Sequence, residues 1–189
     1  MPQFGLYFDM RKCTGCHACE VACRMWNKTK LNNQFRSVAE VERGKYPHPR
    51  VVNFSLVCMH CHDPVCVEAC PVRAISKRDS DGLVIINASK CVGCSFCAWA
   101  CPYGAPMLEE DGKTRKCNFC EDRPRSMPKA CEEVCPTGAI ISGPVDKLEK
   151  VATKKWVGRV IGTMRPDILL RLRSMPVTSK KHRSEEDTR

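Results

Sequence analysis

Four groups of cysteines carry the chemistry available to this chain. The first is Cys13, Cys16, Cys19 and Cys23, and the second is Cys58, Cys61, Cys66 and Cys70. The third is Cys91, Cys94, Cys97 and Cys101, and the fourth is Cys117, Cys120, Cys131 and Cys135. The third group reads C-x2-C-x2-C-x3-C-P, and Pro71 and Pro136 close the second and fourth groups as Pro102 closes the third. Three thiolates at that spacing reach three iron corners of one 4Fe–4S cubane, and the fourth points to the neighbouring cubane. A proline after it turns the chain away without offering an N–H. Disulfide frameworks do not repeat C-x2-C with a closing proline. A structural zinc ion takes four ligands, often as two C-x2-C pairs, so a third cysteine at the next x2 interval suits a cubane better.

The crosswise reach of the fourth cysteine predicts how the groups combine. Cys58, Cys61 and Cys66 hold one cluster with Cys101, and Cys91, Cys94 and Cys97 hold another with Cys70. That leaves the first and fourth groups for each other: Cys13, Cys16 and Cys19 with Cys135, and Cys117, Cys120 and Cys131 with Cys23. The fourth group alone has zinc-like spacing, because the insert Glu121 to Ala130 separates its second and third ligands. Its closing Cys-x3-Cys-Pro ties it to the others. His17, His60 and His62 sit within these loops. With four cysteines already available to each cluster, His17 is expected at the surface or behind the ligands, and His60 and His62 bonded to sulfur, rather than as ligands. Trp26 is expected to pack, and Trp99 to shield a cluster from water.

Sixteen cysteines among 189 residues, with aromatics at only 6%, predict a fold stapled by metal rather than by a large apolar core. The formal charge of +10 counts cysteine as neutral. Residues 1–144 hold 19 basic and 15 acidic side chains, and residues 145–189 hold 12 and 6. Each loaded cluster adds about −2, so four of them leave the first part at about −4 ahead of a positive tail. This weakens a nucleic-acid reading based on total charge. No apolar run is long enough to predict a transmembrane helix. Met1 to Arg11 predicts no export signal of its own.

Strands and short helical turns must present these loops. Gly5 to Asp9 and Val51 to Val57 read as strands leading into the first and second groups. Phe35 to Glu42 reads as a strand with Phe35, Ser37, Ala39 and Val41 on one face, inside a long connection suited to a partner surface or a cover. Ala74 to Arg78 and Leu83 to Asn87 read as a hairpin turned at Asp81-Gly82. Residues 102–116 read as a linker with a turn at Gly112, and Asp146 to Val151 as a helical turn. Lys154 to Arg173 mixes apolar and basic residues, and Pro166 interrupts any helix there. It is expected as an arm gripping a partner subunit, or as a membrane-surface segment. Thr178 to Arg189 is polar and expected to be disordered.

With the groups placed, the chain resembles the four-cluster iron–sulfur subunits of molybdopterin oxidoreductases, nearest to those of anaerobic dimethyl sulfoxide reductases. The resemblance rests on Cys13-Thr-Gly-Cys16 with Cys19-Glu-Val-Ala-Cys23, and on Cys58-Met-His-Cys61-His-Asp-Pro-Val-Cys66. It rests also on Cys91-Val-Gly-Cys94, Cys101-Pro-Tyr-Gly-Ala-Pro106 and Lys116-Cys-Asn-Phe-Cys120-Glu-Asp-Arg123. It implies an α+β fold of two ferredoxin-like 2×(4Fe–4S) modules, one nested in the other. Residues 1–52 and 113–145 would form the outer module, 53–112 the inner one, and 146–189 a basic tail. Nitrate reductase relatives replace one third-group cysteine by tryptophan. Cys94 stands there in this chain, so four 4Fe–4S clusters are expected.

The implied role is electron transfer between a molybdopterin-containing catalytic subunit and a membrane quinone-linked subunit. The first and fourth groups would lie toward the catalytic subunit and the other two toward the membrane. The sequence offers no nucleophile–base pair and no phosphate loop, so no catalytic residue of its own is expected. The implied location is peripheral to a membrane, on the extracytoplasmic face, by co-export with a signal-bearing partner, or else cytoplasmic. Two other readings stand beside this one: a cluster-bearing partner of a hydrogenase or carbon monoxide dehydrogenase, and a zinc-binding nucleic-acid module.

Overall fold

The structure, a computed structural model, describes residues 3–124, 126–151, 157–159 and 168–171. The chain enters through strand β1 (Phe4–Asp9), an apolar run buried along nearly its whole length. It leaves the fourth cysteine group through β8 (Ile140–Pro144), which pairs antiparallel with β1 from Phe4↔Pro144 to Phe8↔Ile140. Helix α1 (Ala18–Asn27) carries Cys19 and Cys23 one turn apart, and it packs against the short helix α4 (Ala130–Glu133), which carries Cys131. Strand pairing and helix packing therefore bring the first and last cysteine-bearing segments together.

Between them a second pair of cysteine-bearing helices packs together. Helix α2 (Val65–Glu68) carries Cys66 and packs on α3 (Phe96–Ala100), which carries Cys97. Strands β4 (Ile75–Lys77) and β5 (Val84–Ile86) form the hairpin expected from Asp81-Gly82. Gly82 takes φ +70° there, and Arg78 clamps Asp81 at 2.8 Å. The fold is thus a ferredoxin-like 4Fe–4S fold of short helices and small sheets. The core follows the cysteine loops: Leu6, Phe8, Val38, Val57, Met59, Phe119 and Ile140 pack against Cys19 and Cys131.

The long connection folds into a hairpin of β2 (Arg36–Arg43) and β3 (Arg50–Val57), in register from Arg36↔Val57 to Arg43↔Arg50. The face of Phe35, Ser37, Ala39 and Val41 is not buried as a unit: Phe35 is buried at its start. Ala39 is exposed and Ser37 and Val41 are half-buried, while Arg36 and Val38 are buried. Alternation alone favours the apolar set. The opposite face buries the Arg36 guanidinium instead, close to the sulfurs of Cys131, Cys19, Cys117 and Cys23.

The expected linker also contains a hairpin, of β6 (Met107–Leu108) and β7 (Thr114–Arg115), turned at Gly112. Helix α5 (Val145–Val151) buries Leu148 against Tyr7. Beyond it, β9 (Val157–Arg159) and β10 (Ile168–Arg171) complete a four-stranded sheet in the order β8-β1-β10-β9, with β10 parallel to β1. These parts of the expected partner-gripping arm pair within their own chain. The remainder of that arm, and Thr178 to Arg189, lie outside the described residues. Among the described residues no helix is long and apolar enough to cross a membrane.

Candidate metal centres

One backbone feature recurs in all four cysteine loops. The second residue inside each first C-x2-C is left-handed: Gly15 at φ +70°, His60 at +44°, Gly93 at +71° and Phe119 at +61°. Glycine adopts that conformation at little cost, whereas histidine and phenylalanine do so only where surroundings impose it. An alternation of right- and left-handed residues turns successive N–H groups toward one point and makes an anion-binding concavity. His17 (φ +57°) and Ser95 (φ +63°) repeat the device one cysteine later, just before α1 and α3.

The cysteine side chains surround small cavities. Cys13, Cys16, Cys19 and Cys135 line one, with Phe8, Val38 and Ile140. Cys23, Cys117, Cys120 and Cys131 line a second, with Leu6, Val57, Phe119 and Arg36. Cys70, Cys91, Cys94 and Cys97 line a third, with Val72, Ile75 and Ile86. The remaining cysteines form the fourth set, in which the Cys66 thiol interacts electrostatically with Cys58, Cys101 and Cys61. Among the described residues no three His, Cys, Asp or Glu side chains converge closely enough to hold a single metal ion. Four sulfurs around an apolar space could hold a multi-atom cluster, which would supply one-electron chemistry there.

Hydrogen bonds prepare several sulfurs for negative charge. The backbone N–H four residues after a Cys-Pro cysteine donates to its sulfur twice, from Ala74 to Cys70 Sγ and from Ala139 to Cys135 Sγ, both at 3.2 Å. Thr114 N–H donates to Cys91 Sγ at 3.4 Å, and Asn27 Nδ2 to Cys23 Sγ at 3.6 Å. Burial raises the Cys135 and Cys91 pKa values, yet the bonds from Thr137, Ala139 and Thr114 outweigh it and leave both below the ordinary thiol value. Elsewhere burial dominates, taking Cys19 up to about 11 and Cys23 and Cys66 up to about 12. Such thiols stay protonated at neutral pH unless a metal displaces the proton, so loading these sites releases protons.

His17 lies at the surface as expected, whereas His60 and His62 differ from expectation. His60 is 2% exposed, but its Nδ1 accepts a hydrogen bond from Val84 N–H at 3.1 Å and its ring meets Phe119 edge-on. Burial, then the charges of Lys116, Arg78 and Lys77, push its pKa well below the ordinary imidazole value. His62 pairs with Asp63 at the surface, and His17 lies within 3.1 Å of Glu20. The observed partners of these rings are therefore backbone and carboxylates rather than sulfur.

The tryptophans also separate. Trp26 packs beneath Arg123 (4.6 Å) and donates to Asp122, which fastens α1 to the insert of the fourth group. Trp99 does not shield a cluster: it is 77% exposed and touches Phe96. The reason is helical phase. Cys97 occupies the inward face of the one-turn α3, and a residue two positions later projects outward. Trp99→Ser is therefore expected to change stability by less than about 0.5 kcal/mol and to leave the visible absorption of the loaded chain unaltered. Bleaching of that absorption would restore the shielding role.

Two cations went unnoticed in the sequence. Lys116 is 5% exposed, with Nζ bonded to the carbonyl oxygens of Val84 and Cys117. Its charge also acts on Cys66, so it lies between the fourth-group loop and the second-group one. Its place beside Cys117 was visible. Its burial was not, because lysine beside cysteine is ordinarily solvated. Arg36 is the other, and nothing in the local sequence distinguishes it from a solvated strand residue.

Comparison with known proteins agrees with this chemistry. The 4Fe-4S dicluster domain family matches residues 50–144. The B subunit of sulfite dehydrogenase from Allochromatium vinosum is 36% identical over 168 residues, spanning 77% of this chain and 70% of the relative. The B subunit of anaerobic dimethyl sulfoxide reductase from Escherichia coli is 39% identical over 158 residues, spanning 78% and 77%. The thiosulfate reductase electron transfer subunit PhsB of Salmonella typhi is 35% identical over 165 residues, spanning 83% and 82%. Sixteen cysteines in four groups give this chain four 4Fe–4S clusters as its cofactors.

Proposed function

Because this chain is a member of the family of 4Fe–4S iron–sulfur subunits typified by that of anaerobic dimethyl sulfoxide reductase, we propose that it is the electron-transfer subunit of a molybdopterin oxidoreductase complex. In this reading it passes single electrons between a molybdopterin-containing catalytic subunit and a quinone-linked membrane subunit, and makes no bonds of its own. The observation that carries it is the gathering of the sixteen cysteines into four-sulfur sets, three of them lining cavities of their own, since a series of like sites suits relay better than catalysis.

The ligands are assigned as Cys13, Cys16, Cys19 and Cys135; Cys23, Cys117, Cys120 and Cys131; Cys58, Cys61, Cys66 and Cys101; and Cys70, Cys91, Cys94 and Cys97. Support comes from the three cavities lined by whole sets and from the electrostatic neighbours of Cys66. The first and fourth groups then form an outer module around an inner one, in keeping with the pairing of β1 with β8 and the packing of α1 on α4. Bound clusters supply one-electron uptake and release. The protein fixes the sulfurs, aims N–H groups at them and excludes water with Leu6, Phe8, Val57 and Ile75, and these factors set potentials. The subunit is placed at a membrane through its partners, on the extracytoplasmic face by co-export, with a cytoplasmic complex as the other arrangement.

The test is iron and sulfide per chain in full-length protein isolated without oxygen, followed by an EPR redox titration and identification of co-purifying subunits. The expected result is about sixteen iron and about sixteen sulfide, interacting EPR signals and a molybdopterin-containing partner. Zinc in place of iron after anaerobic reconstitution would overturn it.

A further inference from the structure

Arg36 is buried to 2% exposure on the inward face of β2, and it forms part of the wall of the cavity lined by Cys23, Cys117, Cys120 and Cys131. Only one of its nitrogens is bonded within the protein: Nη1 donates to Ser55 Oγ. Nε and Nη2 are buried and have no hydrogen-bond partner. No carboxylate forms an ion pair with it among the described residues. Its charge acts instead on the sulfurs of Cys131, Cys19, Cys117 and Cys23.

A buried, uncompensated guanidinium with two idle donors is strongly unfavourable. Among the described residues the charges that act most on it are those of cysteine sulfurs. Three of those four sulfurs belong to the cavity that Arg36 lines, and Cys19 belongs to the adjacent one. The wall of the Cys70, Cys91, Cys94 and Cys97 cavity has no arginine or lysine. The wall of the Cys13, Cys16, Cys19 and Cys135 cavity has none either. Lys129 shares the wall with Arg36; its ammonium lies over the Phe119 ring, 5.1 Å from the centroid, and its charge acts on Cys120 alone of the four sulfurs, whereas that of Arg36 acts on Cys23, Cys117 and Cys131.

We propose that Arg36 sets the potential of the cluster held by Cys23, Cys117, Cys120 and Cys131, donating hydrogen bonds to it from Nε and Nη2 and stabilising its reduced state with a buried charge. The inference rests on the electron-transfer reading above and adds a residue to it. Accepting an electron makes the site more negative by one charge. A cation fixed in its wall favours that change, and hydrogen bonds to sulfur act in the same direction. The guanidinium suits the place better than an ammonium, because it is weakly hydrated and offers donors in a rigid plane. Arg36 does not carry the electron. It is a positioning and tuning group that makes this site the more easily reduced member of the pair it forms with the Cys13, Cys16, Cys19 and Cys135 site.

The experiment uses the full-length chain, isolated anaerobically, in wild-type form and as Arg36→Met and Arg36→Lys. Methionine keeps approximate volume but removes charge and donors, while lysine keeps only the charge. Iron per chain is measured first. In Arg36→Met the reduced-to-oxidised ratio of one cluster, read by EPR at fixed solution potential, is expected to fall at least tenfold, or 59 mV for one electron. Arg36→Lys is expected to lie between this and wild type. A second readout needs no substitution: in wild-type chain carrying arginine labelled with 15N in the guanidinium alone, pulsed EPR of the reduced cluster is expected to show 15N coupling. That coupling should vanish in Arg36→Lys. An unchanged ratio in Arg36→Met at wild-type iron content, or no guanidinium coupling in the wild type, overturns the proposal. If Arg36→Met fails to assemble, the wild-type coupling decides alone. A wild-type chain without iron would instead overturn the electron-transfer reading itself.

Discussion

Cys23→Ser is expected to remove one cluster and leave three, taking iron from about sixteen to about twelve per chain. By chain order Cys23 belongs with Cys13, Cys16 and Cys19. In space it lines the cavity of Cys117, Cys120 and Cys131, where its sulfur interacts with Cys131 and Cys120. Helix α1 makes the division: Cys19 and Cys23 lie one turn apart on a buried face, and each opens onto a different void. The substitution should therefore abolish the EPR signal of the Cys117 site and preserve that of the Cys13 site. Serine nearly matches cysteine in size, and Asn27 Nδ2, which donates to Cys23 Sγ, also donates to the Cys23 carbonyl at 2.8 Å. The helix should thus survive. Loss of the cluster held by Cys13, Cys16 and Cys19 would show that each group serves itself, and would sink the crosswise assignment.

Gly93→Ala should have the next largest effect, for a reason invisible to cysteine chemistry. Gly93 has φ +71°, and a Cβ built there would lie 2.2 Å from the carbonyl oxygen of Gly112. That oxygen belongs to the turn between β6 and β7, so the clash is with backbone and no rotamer can relieve it. The same hairpin delivers Thr114 N–H to Cys91 Sγ. Alanine must therefore push away the hairpin that holds one ligand. Gly104→Ala supplies the control, since Gly104 has φ +60° but nothing within 4 Å of its Cβ position. It should cost only the left-handed penalty, about 1–2 kcal/mol, or several degrees in Tm for a chain of this size. Gly93→Ala should exceed that and also lose about four iron from the Cys70, Cys91, Cys94 and Cys97 site. Equal Tm shifts and full iron in both variants would show that the hairpin has room to yield.

Local spacing determined much of this protein. The sixteen cysteines, their four groups, the closing prolines, the Asp81-Gly82 hairpin, strand β1 and helix α5 are legible because each depends on neighbouring residues and elementary backbone geometry. The cluster chemistry is legible for the same reason: it needs several thiolates at short intervals, and few other functions do. Residues 102–116 hid a hairpin because two-residue strands leave almost no periodic pattern.

The tertiary structure decided what depends on neighbours distant in the chain. Alternation in Phe35 to Val41 could not announce the burial of Arg36 on the opposite face, because the charges around it are sulfurs brought from residues 19, 23, 117 and 131. Trp99 went outward because a one-turn helix has a single inward face and cysteine occupies it. His60 turned to Val84 N–H rather than to sulfur because β5 crosses above its loop. The tail residues of β10 joined β1 because that edge of the sheet was open to pairing. Sequence spacing thus names the class of cofactor, whereas the charges and hydrogen bonds around each cysteine set arise only when separated segments meet.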